Sequence, residues 1–203
     1  MKRKIIFFVL VGLLATPLAS ALTVLQLNLQ QLIGLADRVF VGKCLSVKFD
    51  TDGGGRPVQY VTYQVEDLIK GPASDRVTFK QLGASDDQMQ RQEGDLTVVS
   101  VFRELPRYQA GEESIIFLSE EGSLGLTAPI GLQQGKFAVA TDASGQKTVA
   151  NGMGNHGLFM GLSQSPKVKA MALSNSDKKL MKQNGGDLVY DDFVSLVKRL
   201  AAQ

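Results

Sequence analysis

The sequence predicts a mainly β protein, a small antiparallel barrel with a short N-terminal helix and a C-terminal amphipathic helix. Three observations support this fold class. Short apolar runs with period-two alternation recur between residues 38 and 150, glycine and proline separate them without intervening helices, and helical periodicity is confined to the two ends. Strands that follow one another without helical crossovers pair antiparallel.

The first 21 residues have the pattern of a secretory signal peptide. Met1–Lys4 is basic, Ile5–Leu18 is an apolar run of 14 residues, and Ala19–Ala21 fits the small-residue cleavage rule. The apolar run is shorter than the roughly 20 residues that span a bilayer. We therefore expect cleavage near Ala21, no transmembrane segment after cleavage, and a periplasmic or secreted protein.

Cleavage would change the charge balance of the chain. The whole sequence has 22 basic and 20 acidic residues, and removal of Lys2, Arg3 and Lys4 leaves 19 basic against 20 acidic, a net charge of −1. The remaining 182 residues, 203 less 21, suffice for one domain with a sizeable core. Nucleic acid requires a basic groove, so we expect no nucleic-acid partner.

One cysteine and one histidine limit the chemistry further. A zinc site built from Cys and His clusters lacks its ligands, and a disulfide framework lacks a second thiol. We therefore expect no metal and no cofactor. Cys44 lies within an apolar strand pattern, which predicts a buried and unreactive thiol.

A short helix is predicted from Leu29 to Ala36. Asn28 suits its N-cap, and Gln31 suits the reciprocal position of a capping box. A period-two strand over residues 25–29 is the competing interpretation, but two consecutive glutamines break its alternation. The predicted inward stripe of the helix is Leu29, Leu32, Ile33 and Ala36.

Eight strands are predicted between residues 38 and 150. Gly42 lies near the middle of the first, where a bulge or bend would let a long strand curl into a barrel. The last two strands flank Asp142–Gly145, a connection typical of a hairpin, and Gly83–Asp95 is predicted to be a polar loop. The predicted strands are Arg38–Phe49, Val58–Ile69, Arg76–Leu82, Leu96–Phe102, Ser114–Ser119, Leu124–Ala128, Lys136–Thr141 and Gln146–Ala150.

Residues 151–203 differ in character from residues 22–150. Asn151 to Gly186 is rich in glycine and long for a structureless connection, so we expect either a mobile or a functional loop. Ser176 or Asp177 is expected to cap one short helix within it. Tyr190–Ala202 has an amphipathic pattern that begins with acidic residues and ends with basic ones, which predicts a helix packed on the barrel.

Two short motifs suggest chemistry that their surroundings do not support. Gly152–Gly157 satisfies the dinucleotide pattern G-x-G-x-x-G, but that pattern needs a following helix, and none is predicted there. Asp50 and Asp52 begin like a calcium loop, yet the bidentate glutamate of such a loop is missing. We interpret the first as a glycine-rich loop and the second as a hairpin loop.

The candidate binding residues lie in the same glycine-rich segment. They are Asn151, Asn155 and His156. His156 is the one imidazole of the chain, so a Ser-His-acid hydrolase would depend on it. No complete catalytic constellation is present in the sequence, and no catalytic residue is predicted.

Four segments carry a resemblance to a known family: ADRVFVGKCLSV at 36–47, YQVEDLIKG at 63–71, PRYQAGEESIIFL at 106–118 and GLQQGKF at 131–137. They resemble exported bacterial domains of unknown function, which are similar to the OB-like barrel of netrin modules and tissue inhibitors of metalloproteinases. The resemblance implies an OB-like barrel but no activity. Those inhibitors chelate zinc through an N-terminal cysteine held by disulfides, whereas this chain would begin at Leu22 and has one cysteine.

Together these features predict an exported, non-enzymatic binding module of the cell envelope, with a protein or peptide partner for which a secreted protease is one candidate. Two alternatives stay open. A hydrolase would use His156 with a nearby serine or carboxylate. An oligosaccharide-binding barrel would present aromatic side chains such as Tyr60, Tyr63 and Tyr108 on one sheet face.

Overall fold

The structure is a computed structural model that describes residues 25–91 and 102–202. Seven strands form one antiparallel sheet in the order β3-β2-β1-β4-β5-β6-β7. The predicted signal peptide and residues 96–101 of one predicted strand lie outside the described residues. The strands are β1 Arg38–Thr51, β2 Pro57–Lys70, β3 Arg76–Leu82, β4 Glu113–Leu118, β5 Lys136–Thr141, β6 Lys147–Asn151 and β7 Leu188–Val189.

Helices precede and follow the sheet, so the predicted mainly β class with two terminal helices is confirmed. The helices are α1 Leu29–Leu35, α2 Asp86–Arg91, α3 Pro166–Lys169, α4 Asn175–Leu180 and α5 Tyr190–Ala201, with 3-10 turns at Leu132–Gln134 and Leu162–Gln164. Within residues 25–91 and 102–202, no helix has the length and apolar character that crossing a bilayer requires.

Strand β1 bends at Gly42, as its sequence predicts. The register of β1 against β2 shifts at three points, one of them between Val41 and Gly42. A Cβ at Gly42 would lie 2.5 Å from the carbonyl oxygen of Gln64 on β2, closer than any side chain can approach. This close approach at the register shift therefore requires glycine, and β1 pairs with β2 on one edge and with β4 on the other.

The sheet does not close into a barrel over the described residues, because a loop rather than a strand spans the gap between β4 and β3. Ser119 N donates to Ala128 O at 3.0 Å on the β4 side, and Thr127 N donates to Lys80 O at 2.8 Å on the β3 side. The predicted strand Leu124–Ala128 is therefore wrong. Its backbone forms one hydrogen bond on the β4 side and one on the β3 side, and a tight turn at Gly125 prevents a continuous ladder of β-sheet hydrogen bonds.

Two hydrophobic clusters lie on opposite faces of the curved sheet. The inner cluster, on the face enclosed by β1 to β4, consists of Phe40, Cys44, Val61, Tyr63, Val77, Phe79, Ile116 and Leu118. Cys44 is buried there, as predicted, and burial raises the pKa of its thiol. The outer cluster lies between the opposite face and the helices, and it includes Val39, Val41, Phe117, Phe137, Leu158, Phe193 and Leu196.

Helices α1 and α5 cover the outer face. The Asn28 side chain caps α1 in the predicted capping box with Gln31, and the predicted stripe of α1 is buried. On α5 the buried residues include Phe193, Leu196, Val197 and Leu200, which confirms the predicted amphipathic helix. Arg199 of α5 forms an ion pair with the buried carboxylate of Asp177.

Two short helices differ from the sequence prediction. Helix α4 is capped by Ser174, not by Ser176 or Asp177, because Ser174 Oγ accepts from Asp177 N at 3.1 Å while the Asp177 carboxylate accepts from Ser174 N at 2.7 Å. Helix α2 occupies part of the predicted loop Gly83–Asp95, and Ser85 and Gln88 form a similar reciprocal pair at its start.

Two glycine substitutions test the bend at β1. We expect Gly42→Ala to lower the free energy of unfolding by about 1–3 kcal/mol, since the new Cβ must displace the β2 backbone. Gly34→Ala is the matched control: no atom lies within 4 Å of its added Cβ, and alanine favours helix α1, so stability should rise by up to about 0.5–1 kcal/mol. Urea unfolding measures both. Equal effects of the two substitutions would contradict the assignment.

Candidate binding cleft

Asn151 and Asn155 are joined by reciprocal hydrogen bonds at the end of β6. The Asn155 side-chain oxygen accepts from Asn151 N at 3.0 Å, and the Asn151 side-chain oxygen accepts from Asn155 N at 2.9 Å and from Met153 N at 3.0 Å. Asn155 has a φ of 60°, a left-handed conformation that asparagine tolerates better than most residues. The two predicted candidates thus form one closed turn.

Asn155 also ties this turn to two other parts of the chain. Its side-chain amide donates to Val149 O at 3.0 Å and to Gly186 O at 2.8 Å, and the residue is only 1% exposed. The Asn151 amide donates to Gln134 O at 3.2 Å. Because its side-chain oxygen and amide are both engaged within the fold, Asn155 is a structural residue and not a ligand contact.

His156 lies apart from any catalytic arrangement in the described residues. Its ring is exposed, and Nδ1 donates to the carbonyl oxygen of Asn184 at 2.8 Å. A carbonyl can only accept, so Nδ1 carries the proton. Within residues 25–91 and 102–202, no serine hydroxyl or carboxylate is hydrogen-bonded to this ring. The structure does not assemble the partners that the hydrolase hypothesis needs.

The segment Asn151 to Gly186 is a folded part of the core. It is a run of turns and short helices, and it buries Leu158, Phe159, Leu162 and Val168 in the outer cluster. In the G-x-G-x-x-G motif, Gly154 and Gly157 have φ values of 61° and 68° and serve successive turns rather than a helix start. The geometry that binds a dinucleotide phosphate is not formed there.

The Asp50–Asp52 loop is a hairpin turn held by its own side chains. The Asp52 carboxylate accepts from the Arg56 guanidinium at 2.7 Å and from the backbone N–H groups of Gly54 and Arg56. These bonds lower the pKa of Asp52 to about 2. Among the described residues, no three His, Cys, Asp or Glu side chains are grouped as metal ligands would be.

A cleft lies at β5 and β6, beside the segment that leads into β4. It has a volume of about 350 Å³. Ala138 of β5 and Ala150 of β6 pair across the strands and leave room where larger side chains would fill it. Its lining residues are Arg103, Leu105, Pro106, Arg107, Gln133, Lys136, Ala138, Ala150, Asn151 and Gly152. Of the three predicted candidates, Asn151 alone lines this cleft.

Three cationic side chains line the cleft. Lys136 is mostly buried, forms an ion pair with Glu112, and lies 5.2 Å from the centre of the Tyr108 ring. Arg107 Nη1 lies 3.8 Å from the carboxylate of Asp86, but both side chains are about three-quarters exposed. Arg103 is exposed as well. The cleft therefore has an excess of positive charge on its solvent-facing side.

A second pocket of about 250 Å³ adjoins the cleft. It is termed the apolar pocket for its Phe49, Met89 and Phe102 side chains, and Gln59, Asp86 and Arg107 give it polar groups as well. Leu105, Pro106 and Arg107 line both and form a ridge between them. The other lining residues of the apolar pocket are Phe49, Gln59, Gly83, Ala84, Asp86, Met89, Phe102 and Tyr108. The two pockets therefore offer different chemistry on either side of one short stretch of backbone.

A polar group lies beneath the apolar pocket. Gln59, which lines the pocket, pairs across the strands with Gln81, which is 1% exposed. The Gln81 side-chain oxygen accepts from Tyr108 OH at 3.0 Å, and no described residue accepts a hydrogen bond from its amide nitrogen. A buried donor without a partner costs about 1–3 kcal/mol.

The tyrosines named for glycan binding do not share an exposed face. Tyr63 is fully buried in the inner cluster, and Tyr108 packs against that cluster, so burial raises the pKa of both phenols. Tyr60 is partly exposed on β2 and lines neither pocket. The structure therefore offers no tyrosine platform of the kind that the oligosaccharide alternative requires.

The structural role of Asn155 can be measured. We expect Asn155→Ala to lower the free energy of unfolding by about 3 kcal/mol, because buried backbone groups lose their partners and alanine resists the left-handed conformation. Asn155→Gly should cost about 1 kcal/mol less, since glycine removes that conformational strain. His156→Ala is the surface control, with an expected loss below about 1 kcal/mol. The free energies of unfolding are measured by chemical denaturation. An equal loss of stability in His156→Ala and Asn155→Ala would disprove the structural role of Asn155.

The chain was also compared with known proteins. No protein-family model matches it, and neither the curated proteins nor the solved structures contain a match. The similarity to netrin modules and tissue inhibitors of metalloproteinases stays a prediction. The chemistry of the cleft and of the apolar pocket is therefore the basis for a functional assignment.

Proposed function

We propose that this protein is an exported, non-enzymatic binding module of the cell envelope that recognises a segment of a partner protein, for which a secreted protease is one candidate. The observation that carries the proposal is the pair of pockets on either side of the Leu105–Arg107 ridge.

The division into two pockets favours a chain-like ligand over a small molecule. Each pocket has room for side chains, at about 350 and 250 Å³. The cleft is lined by three cationic side chains, whereas the second pocket combines large apolar side chains with the carboxylate of Asp86. A single compact ligand would meet only one kind of lining. An extended peptide places successive side chains several ångströms apart and can occupy both.

The N-terminal sequence supports the exported location. A basic start, an apolar run of 14 residues and a small-residue cleavage site occur together in residues 1–21. The lone cysteine is buried in the inner cluster, where it has no thiol to pair with in an oxidising compartment.

Filling the cleft tests the binding proposal. A random-peptide display library is selected against the purified protein, and the Kd of the enriched peptides is measured by fluorescence anisotropy. Ala138→Trp places an indole in the cleft and should weaken these peptides by about tenfold or more. Ala140→Trp is the matched control, because Ala140 is exposed two residues along the same strand and lines neither pocket.

The control should change the Kd by less than about twofold. Circular dichroism verifies that both variants are folded. The proposal is wrong if no peptide is enriched, or if the enriched peptides bind Ala138→Trp as tightly as the unmodified protein.

Export has its own test. When the full chain is expressed in bacteria, we expect the protein in the periplasmic or culture fraction to have lost its first 21 residues, so that intact mass and N-terminal sequencing place the new terminus at Leu22. Replacing the apolar Leu13-Leu14 pair with two arginines should retain the uncleaved chain in the cytoplasm. Recovery of unprocessed protein from the cytoplasm in both cases would contradict export.

A further inference from the structure

The charge of the cleft is not balanced by the groups around it. Arg103 has no acidic side chain within 4 Å among the described residues, and Glu104, its exposed neighbour in the chain, does not line the cleft. Arg107 has Asp86 at 3.8 Å, but that pair is exposed to solvent, where such a contact contributes little. Among the described residues, Arg103 thus has no ion-pair partner and Arg107 has only the solvent-exposed contact with Asp86.

Lys136 contributes less to this excess than the arginines do. Its ammonium group is paired with Glu112, and its side chain is only 11% exposed. The Tyr108 ring covers it further. Lys136 therefore acts as a neutralised part of the cleft wall, and the ligand-binding charge lies on Arg103 and Arg107, four residues apart on the ridge side.

Arginine favours a carboxylate as the matching group. The planar guanidinium donates two parallel hydrogen bonds to the two oxygens of a carboxylate, which gives a specific geometry as well as charge attraction. The neighbouring Gln133 and Asn151 side chains add polar groups to the cleft.

The adjoining apolar pocket defines a second position of the ligand. Its lining includes Phe49, Met89 and Phe102, which suit an aliphatic or aromatic side chain. Leu105, Pro106 and Arg107 line both pockets, so the pockets adjoin, and two side chains of one extended peptide can occupy them together.

We infer that the recognised segment is an acidic peptide: it places a Glu or Asp carboxylate at Arg103 and Arg107, and a large apolar side chain of the same extended segment in the pocket of Phe49 and Phe102. This inference rests on the proposed function and specifies the chemistry of the partner.

Paired peptides and paired variants test the inference. For each peptide enriched in the display selection, the acidic residue is changed to its amide, Glu to Gln or Asp to Asn, and the Kd is measured by anisotropy against the unmodified protein and against Arg103→Gln/Arg107→Gln. Arg76→Gln removes one exposed arginine of β3 that lines neither pocket and serves as the surface control.

We expect the amide peptide to bind the unmodified protein about tenfold more weakly, and the double arginine variant to bind both peptides with similar, weak affinity. The same acidic peptide should lose affinity as NaCl rises from about 50 to 500 mM. Arg76→Gln should match the unmodified protein within about twofold. Replacing the apolar residue of the peptide with alanine should cost about tenfold as well.

The two failures can be told apart. If no peptide is enriched, the proposed function fails and the inference with it. If peptides bind and Ala138→Trp abolishes binding, but the amide substitution and Arg103→Gln/Arg107→Gln change nothing, the proposed function stands and the acidic specificity is refuted. A labelled oligonucleotide or sulfated glycan that binds through Arg103 and Arg107 more tightly than any acidic peptide would also overturn the inference.

Discussion

The close approach of the β1 and β2 backbones at Gly42 is the constraint on which the shape of the sheet depends. Because a side chain at that position would collide with Gln64 O, the strand can bend there only as glycine. Phe40 and Cys44 lie in the inner cluster, while Val39 and Val41 belong to the outer cluster beneath the helices, because successive side chains of a strand point to opposite faces. One strand thereby supports two cores, and both faces of the sheet are stabilised by apolar burial.

The same strand positions the ridge of the candidate site. Cys44 N donates to Glu112 O at 2.8 Å, and Gly111 N donates to Cys44 O at 2.8 Å, so β1 holds the chain just before β4. Ahead of that point Tyr108 packs against the inner cluster and donates to Gln81. The ridge of residues 105–107 is therefore anchored by the core at one end, which keeps the charged cleft and the apolar pocket on separate sides.

Elements with local signals were predictable, and elements that depend on distant partners were not. The Asn28 capping box and the alternation of residues 136–141 each specify their structure within a few residues, and both are confirmed. Residues 124–128 have a strand-like pattern, but the chain there meets β3 and β4 at single points, which no local pattern encodes. For helix α2 the signal was present and missed: Ser85 and Gln88 have the spacing of a capping box.

Most residues of the candidate cleft could not be predicted from the sequence, for a related reason. The sequence predicts candidate binding residues in a glycine-rich segment, namely Asn151, Asn155 and His156. Asparagine in such turns commonly forms hydrogen bonds with backbone groups, as the Asn155 side chain does here. Arginine, lysine and alanine are common residues without a motif, and the pairing of β5 with β4 and β6 brings them together at the cleft. The net charge of the chain, which is near zero, does not indicate the site either. It is a total that contains no information on position, whereas in the structure Glu112 neutralises Lys136 while the neighbouring Arg103 and Arg107 are exposed to solvent.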